Sequence, residues 1–550
     1  MERQAQKFPK ILHKAIRWAC PLVEIKNPVK EFKWWQSDLN ELRSKVRRAG
    51  SVFRHRNSER NWNALQEARR AFWKAIRRSK RKCWQTFTGE ANNPKMAAVI
   101  NRIVKGNSKV SIGLLRPDKD STFKSPVDSV KMLLDEHFPK SRSQIDFQPC
   151  PPGQVEWNRD GPAGFITTWK VEKAIKSFGN YKAPGPDDIR PVLLKHLGPK
   201  ALAMVTNMFR ASYLLAYQPL SWRSSRVVFI PKPGKGDYSL PRSFRPITLS
   251  SFVMKVMERL ILWRLEEVTF VERPLSTHQH ASRRQRSTDS ALTNMVGYIE
   301  SALQRDEFAM VVFLDIKGAF DNVNTLSVVQ GMEEKGVEEH IVKWYKHYLQ
   351  NRQISVDVNG VTEQRQLLCG TPQGGVLSPV AWNLIFDLLL QLFQGWVKAV
   401  GFADDAGLVT TGKNLASRMQ KALREAEGWG KDHGISFSPA KTVAVIFTRK
   451  HKFNPPSRLM LDGTMIPYSD QAKYLGVLLD RKLLWTPHVT KKIASAKGHL
   501  VKLRQSMGKL WGVPPFMTRW LYTGVVRPAL SYGSLVWARA TEKKTIQDRE

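Results

Sequence analysis

Three aspartates in two short stretches carry the clearest chemistry in this chain. Asp315 lies near the end of the apolar run VVFLDI, Val311 to Ile316, and Asp404 and Asp405 stand side by side in VGFADDAGLVTT, Val400 to Thr411. The apolar runs AVGFA and AGLV around the pair read as short β-strands, with the two aspartates at a tight turn between them. Ionised carboxylates beside apolar side chains are costly unless something positive meets them, and Val400 to Thr411 contains no basic residue. A strand tip with one carboxylate and a hairpin tip with two is what a two-metal site needs. Mg²⁺ is a hard ion that prefers carboxylate oxygens and substrate phosphates to an all-protein cage. Two such ions about 4 Å apart activate a 3′ hydroxyl and stabilise a leaving pyrophosphate. An Asp-Asp pair alone is more often a turn or a surface feature, so the neighbouring segments must carry the argument.

Those carboxylates need rigid elements behind them. VVFLDI reads as a buried strand, and ISVDVNGVTEQRQLL (Ile354 to Leu368) as a hairpin around Asn359-Gly360. LSPVAWNLIFDLLLQLF reads as a helix with Ser378 as N-cap and Pro379 at the first helical position. Residues 41–82 hold fifteen Lys/Arg against Glu41, Glu59 and Glu67, with Trp62, Leu65, Phe72 and Ile76 at helical spacing. This predicts an amphipathic helix with a basic outer face, and the interleaved Trp62, Trp73 and Trp84 favour nucleic-acid contact. From about Leu115 to Arg159 the chain reads as loop-like, with FPKSRSQIDFQPCPPGQ as a linker. Strands and helices alternate from about Gly164 to Asp480, and the text beyond is helical and basic again. The mixture predicts an α+β fold.

The 550 residues are 42% hydrophobic, enough for a real core, but 88 Lys+Arg against 48 Asp+Glu leaves a formal charge of +40. Such an excess favours polyanionic partners, nucleic acid first. No lipidation motif supports a membrane surface instead. The most apolar stretch, LIFDLLLQLF, is interrupted by Asp387 and Gln391 and falls short of the roughly 18 apolar residues of a membrane span. The N-terminus lacks a secretory signal. Cys20, Cys83, Cys150 and Cys369 are scattered without metal-binding spacing, as in a reducing, intracellular setting.

The segments around the aspartates form an ordered series. KAPGPDDI (Lys182 to Ile189) is followed by VVFIPKPGKGD and SFRPITLSS (Val227 to Ser251), then QHASRRQRSTDSAL (Gln279 to Leu292) and LDIKGAFDNV. After these come GTPQGGVLSP (Gly370 to Pro379), FADD (Phe402 to Asp405), GISFSPAKT (Gly434 to Thr442) and YLGVLLD (Tyr474 to Asp480). In order and spacing this series, over about residues 165 to 480, closely resembles the reverse transcriptases of non-LTR (LINE-type) retrotransposons. WWQSDLNELRSKVRRA (Trp34 to Ala49) resembles the family's linker between endonuclease and polymerase, and RPALSYGSLVWA (Arg527 to Ala538) its stretch beyond the thumb. A chain beginning after an endonuclease and stopping before any RNase H or zinc-knuckle tail is the corresponding expectation.

The resemblance implies a right-hand polymerase with fingers, palm and thumb, preceded by a basic helical N-terminal extension. The expected segments are 1–160 (extension and linker), 161–210 (pre-fingers), 211–480 (fingers and palm) and 481–550 (thumb and start of a C-terminal region). Asp315 and Asp404 would bridge two Mg²⁺ ions, with Mn²⁺ as a substitute, and Asp405 would contribute less directly. Phe320, five residues after Asp315, would wall off a 2′ hydroxyl and select dNTP. Gln373 and Gly374 would contact the template–nucleotide pair. Lys232 and Arg245 would grip the triphosphate, and Lys441 would steady it or protonate the leaving pyrophosphate. RNA template, DNA primer or target and dNTP are the implied partners, with no membrane and a nuclear site of action. PKPGKGD is not a P-loop, since it lacks the first glycine and the Ser/Thr after Lys235. One segment differs from the family: Ala281-Ser282-Arg283 replaces its Gly/Ala-Phe-Arg, and Gln285 replaces its glycine. The rival readings are an RNA-dependent RNA polymerase, which usually carries Gly-Asp-Asp, and a non-catalytic nucleic-acid-binding remnant.

Overall fold

The computed structural model describes residues 1–19, 33–105, 112–143, 161–393, 395, 397–454, 456–505, 507 and 512–542. Cys20, Cys150 and most of the expected linker, residues 144–154, lie outside them; Cys83 and Cys369 are free thiols. The chain forms two compact units, one from Met1–Cys20, Val110–Trp485 and Leu535–Glu542, the other from Pro21–Lys109, Thr486–Ser534 and Lys543–Glu550. No helix among the described residues is long and apolar enough to cross a membrane.

The larger unit is α+β. Its two main sheets use β1 (Ser141–Arg142), β2 (Ser224–Pro231), β3 (Phe244–Ser250), β4 (Ala309–Lys317), β5 (Gln353–Val358), β6 (Val361–Leu367), β7 (Lys398–Phe402), β8 (Asp405–Thr411), β9 (Ser436–Phe437) and β10 (Val443–Phe447). The first sheet has the order β1-β6-β5-β2-β3. It is antiparallel except where β2 runs parallel to β5. The β5–β6 turn has φ of 55° at Asn359 and 80° at Gly360, the left-handed pair that a two-residue type I′ hairpin requires. Val227, Phe229, Phe244, Ile354 and Val356 line one face of this sheet and pack with Val130, Leu133 and Leu134 of helix α1 (Pro126–His137). That helix corrects the loop-like expectation for this stretch. Ser125 accepts from the Asp128 backbone N–H and Pro126 opens the first turn, so local capping outweighs the weak apolar pattern.

The second sheet, β10-β4-β8-β7 with β9 beside the end of β4, holds the aspartates. Ala309 to Val312 of β4 are fully buried, the continuous apolar run of a strand covered on both faces. Helices α2 (Phe252–Arg264), α3 (Thr288–Gln304), α4 (Glu339–Gln350), α5 (Ser378–Leu392) and α6 (Leu415–His433) complete the core around the two sheets. The N-cap of helix α5 is Leu377, one residue before the expected Ser378. The Ser378 hydroxyl, already helical, donates to the Pro372 carbonyl at 2.8 Å. Asp387 inside α5 is fully buried yet fully partnered. It pairs with Lys335 at 2.7 Å and accepts from the Ser276 backbone N–H and from Gln391. These partners make the carboxylate tolerable in so apolar a helix, and removing one side of such a pair typically costs about 3–5 kcal/mol.

In the smaller unit, the basic stretch 41–82 forms two helices, Ser37–His55 and Glu59–Gly89, rather than one. Ser58 starts the second by accepting from the Asn61 backbone N–H. A separate core joins Ile100 with Leu503 of the basic helix Thr486–Arg504 and with Met517 and Leu521.

The segment that departs from the family pattern folds against β7. The His280 backbone N–H donates to the Gly401 carbonyl, the Gly401 N–H donates to the His278 carbonyl, and Arg283 donates to the Ser276 and Gln279 carbonyls. Gln285 stands there at φ 58°, a conformation that costs a Cβ-bearing residue about 1–2 kcal/mol and glycine almost nothing. Replacing Gln285 by Gly therefore raises stability by about 1 kcal/mol, read as a higher urea midpoint at unchanged m-value. An unchanged midpoint would contradict this account.

Candidate active site

Residue by residue, β4 and β8 run antiparallel so that Leu314 faces Ala406 and Asp315 faces Asp405. Directly opposed residues in such a ladder have Cα atoms about 4.5–5.5 Å apart. Asp404 lies in the turn between β7 and β8, closed by the pair Phe402↔Asp405, with Ala403 beside it at φ 54°. All three aspartates therefore meet at one corner of the second sheet. The corner is electrostatically crowded. Burial first, then the charges of Asp404 and Asp315, push the Asp405 pKa up to about 6.

The segment after α6 straps itself to the same strand end. β9 pairs with Ile316 and Lys317, the Ser438 N–H donates to the Asp315 carbonyl, and the Asp315 N–H donates to the Thr442 hydroxyl at 3.3 Å. This turn delivers Lys441, whose Nζ lies 3.2 Å from Asp315 Oδ2. The pair is largely exposed, so its own contribution to stability is small; its effect is local charge compensation. Lys232, just beyond the end of β2, donates to the Arg242 carbonyl at 2.9 Å. Its pKa is lowered by burial and then by the charges of Arg245, Lys235 and Lys441. Lys232, Arg245 and Lys441 thus share one field, a positive cluster beside the carboxylates.

Gln373 and Gly374 sit in the loop before α5. The Thr248 backbone N–H donates to the Gln373 carbonyl at 2.8 Å, docking this loop on the β3 edge. Gly374 has φ 121°, and a Cβ there would meet the Thr248 carbonyl oxygen at 2.9 Å, so only glycine permits this approach. The other end of the loop is tied to the Phe320 turn, where the Thr371 N–H donates to the Phe320 carbonyl at 2.6 Å. The half-buried Phe320 ring lies 6.2 Å from Trp382, and the Trp382 indole N–H donates to the Ala403 carbonyl at 2.6 Å.

Beneath the loop lie charges that the motifs do not reveal. Glu258 of α2 is fully buried and accepts from the Val376 backbone N–H at 3.2 Å, in the loop just before α5. Arg352, 3% exposed, donates to the Cys369 and Gly370 carbonyls at 2.8 and 2.7 Å. Asp321 is pushed up to about 7 by burial, against the opposing pull of Arg352 and Lys232. Asp321 follows Phe320 in GAFDNV, so its place in the motif is a visible signal. Glu258, Arg352 and Trp382 become functional candidates only once tertiary burial is known.

Among the described residues, no three His, Cys, Asp or Glu side chains are already gathered as a metal cluster. The backbone register nonetheless brings Asp315, Asp404 and Asp405 to one corner of the sheet. Hard oxygen donors short of positive charge fit a divalent cation of the Mg²⁺ type.

Comparison with known proteins agrees with this geometry. The family model "Reverse transcriptase (RNA-dependent DNA polymerase)" matches residues 230–479. The chain is 26% identical over 527 residues to the "Retrovirus-related Pol polyprotein from type-1 retrotransposable element R1" of Bradysia coprophila, covering 92% of this chain and 51% of that protein. It is 26% identical over 397 residues to the "RNA-directed DNA polymerase from mobile element jockey" of Drosophila melanogaster, covering 69% of this chain and 42% of that one. The chain spans about half the length of the curated relatives it matches.

The raised Asp405 pKa has a consequence for stability without metal. Its folded value of about 6 exceeds the unfolded value, roughly 3.9. The folded state therefore binds the proton more tightly. That stabilisation is full below the unfolded pKa and is lost as pH rises through the folded one. In EDTA, Asp405→Asn should be more stable than the parent at pH 7.5, with the gap closing towards pH 4. Thermal melts across that range test it, and a gap independent of pH counts against the electrostatic cause.

Proposed function

We propose that this chain, a member of the reverse transcriptase family of non-LTR retrotransposons, is an RNA-directed DNA polymerase that extends a DNA primer 3′ hydroxyl with dNTP on an RNA template. The observation that carries this reading most directly is the register of β4 against β8, which sets Asp315 opposite Asp405 beside the Asp404 turn. In this reading the β1-β6-β5-β2-β3 sheet serves as fingers, the aspartate-bearing sheet as palm, and the segment after Asp480 as thumb. Residues 1–160 act as a basic extension and linker, and 161–210 as a pre-fingers segment. The primer would be nicked chromosomal DNA, and the site of action nuclear.

Asp315, Asp404 and Asp405 would hold two Mg²⁺ ions, with Mn²⁺ able to replace them. Bound there, the ions would neutralise charge on the attacking and leaving oxygens of an in-line displacement. The chain's own residues do the rest. Arg245 and Lys232 bind the triphosphate, whose negative charge would relieve the crowding of cations that adds to burial in lowering the Lys232 pKa. Phe320, beside the Trp382 ring, would wall off a ribose 2′ hydroxyl. Gln373 and Gly374 approach the template–nucleotide pair from the β3 edge. Lys441, which pairs with Asp315 at 3.2 Å, would hold a proton near the leaving pyrophosphate.

Primer extension on RNA tests the whole reading. The parent should incorporate dNTP in preference to NTP, and Asp404→Asn should abolish extension while RNA binding persists. Preference for NTP would favour an RNA polymerase, and a folded parent that binds RNA without extending would favour a non-catalytic remnant.

The helix Glu59–Gly89 supports RNA contact by the extension. Trp62 and Trp73 are 43% and 55% exposed. At 1.5 Å and 100° per residue they lie about 16 Å apart on nearly one face, with Arg69 between them. Stacking a base on an indole is worth about 1–3 kcal/mol, so Trp73→Ala should weaken single-stranded RNA binding by about tenfold or more with an unchanged salt slope. Arg69→Ala should instead flatten that slope by about 0.7 for each phosphate it no longer neutralises. A titration series at several salt concentrations separates the two; equal slopes for parent and Arg69→Ala would exclude the contact.

A further inference from the structure

The turn that presents Asp404 is held by a residue that belongs to neither the metal ligands nor the nucleotide contacts. Ala403 occupies the first position of the two-residue turn between Phe402 and Asp405, at φ 54°. Glycine adopts that left-handed conformation freely, whereas a residue with a Cβ does so only when its surroundings enforce it. Its carbonyl belongs to the peptide that leads into Asp404, so the orientation of this peptide sets where the Asp404 backbone points. The group that grips the carbonyl is the Trp382 indole N–H, at 2.6 Å.

Trp382 is itself tightly fixed. It is 1% exposed, stacks on Phe386 with ring centroids 5.6 Å apart and planes at 21°, and lies 6.2 Å from the Phe320 ring. Phe386 in turn packs onto Gly401 of β7, where any Cβ would collide with its ring. One indole thus touches both the turn bearing Asp404 and the aromatic proposed to face the sugar. A buried N–H without this acceptor would be unsatisfied, so the bond is favoured on both sides.

We propose that Trp382 is a positioning residue that holds the Ala403–Asp404 turn in its metal-binding conformation and couples that turn to Phe320. The inference rests on the polymerase reading for its catalytic meaning, though not for its geometry. Two expectations separate it from simple core packing. Loss of the N–H should weaken metal binding before it weakens nucleotide binding. A residue that needs no enforcement at position 403 should make Trp382 dispensable for the metal.

The test compares Trp382→Phe, Ala403→Gly and the double variant with the parent. Trp382→Phe keeps an aromatic ring and removes the donor. Mn²⁺ binding is read by electron paramagnetic resonance on protein mixed with an RNA–primer duplex and a non-hydrolysable dNTP analogue, so no turnover is required. Trp382→Phe should weaken Mn²⁺ binding by about tenfold, the range typical when an outer partner of a metal ligand is removed. It should also lower kcat more than it raises the KM for dNTP, and relax the dNTP over NTP preference. Adding Ala403→Gly should restore most of the Mn²⁺ affinity, a coupling that a double-mutant cycle measures directly. Mn²⁺ affinity unchanged in Trp382→Phe overturns the inference. So does a loss of affinity, or of the fold by circular dichroism, that Ala403→Gly does not recover. A parent that binds Mn²⁺ but never extends a primer would instead overturn the polymerase reading and leave the Trp382 coupling measurable.

Discussion

Asp315 and Asp405 face each other across the β4–β8 ladder, and Asp404 sits one residue away in the turn. Antiparallel pairing fixes this meeting rigidly, because slipping the register by one residue would turn every side chain of β8 to the opposite face. The buried set Ala406, Leu408 and Val409 would then be displaced along with the aspartate. The apolar side chains therefore enforce a spacing that the carboxylates, left to themselves, would avoid. Burial first, and then the charges of Asp404 and Asp315, raise the Asp405 pKa at that corner. The conflict is resolved only by a proton or by positive charge.

A second layer of burial supports the loops around this corner. Glu258 and Arg352 place polar side chains beneath the Gly370–Leu377 loop and commit their hydrogen bonds to its backbone. An apolar residue would fill the same space at lower cost in desolvation. It could not, however, hold specific carbonyls and N–H groups at a single geometry. Asp387 follows the same logic farther along α5, where Lys335, Ser276 and Gln391 satisfy it. Helix α5 is thus anchored at its start and in its middle, and Trp382 projects from between those anchors to the Asp404 turn.

Much of this is legible in the sequence, for identifiable reasons. Strands β4, β7 and β8 and the Asn359–Gly360 hairpin carry short-range patterns, apolar runs and turn residues, that local sterics decide. The start of α5 differs by one residue from its local signal because the Ser378 hydroxyl donates back to the Pro372 carbonyl instead of capping the helix. Helix α1 is hidden because its capping signals, Ser125 and Pro126, accompany only a weak apolar stripe. The single basic helix proves to be two because Ser58 caps a new start. Arg352 and Trp382 give no sign at all: an arginine beside a hairpin and a tryptophan in an apolar helix look like surface charge and core. Their meaning lies in which carbonyl each one reaches, and that depends on long-range packing.

The two charge clusters explain each other. Lys232, Arg245 and Lys441 repel one another enough to help lower the Lys232 pKa, while three carboxylates repel enough to help raise that of Asp405. They touch at the ion pair of Lys441 with Asp315. Each cluster alone is unfavourable, and one pair of opposite charges cannot satisfy both. A triphosphate carrying divalent cations has the complementary pattern, negative where the cations stand and positive where the carboxylates stand. Binding such a substrate would relieve both repulsions at once. The crowding is built into the fold by β-sheet register and buried anchors, so little rearrangement is required when the charges are finally matched. That is the condition under which fixed dipoles and ions are most effective in promoting phosphoryl transfer.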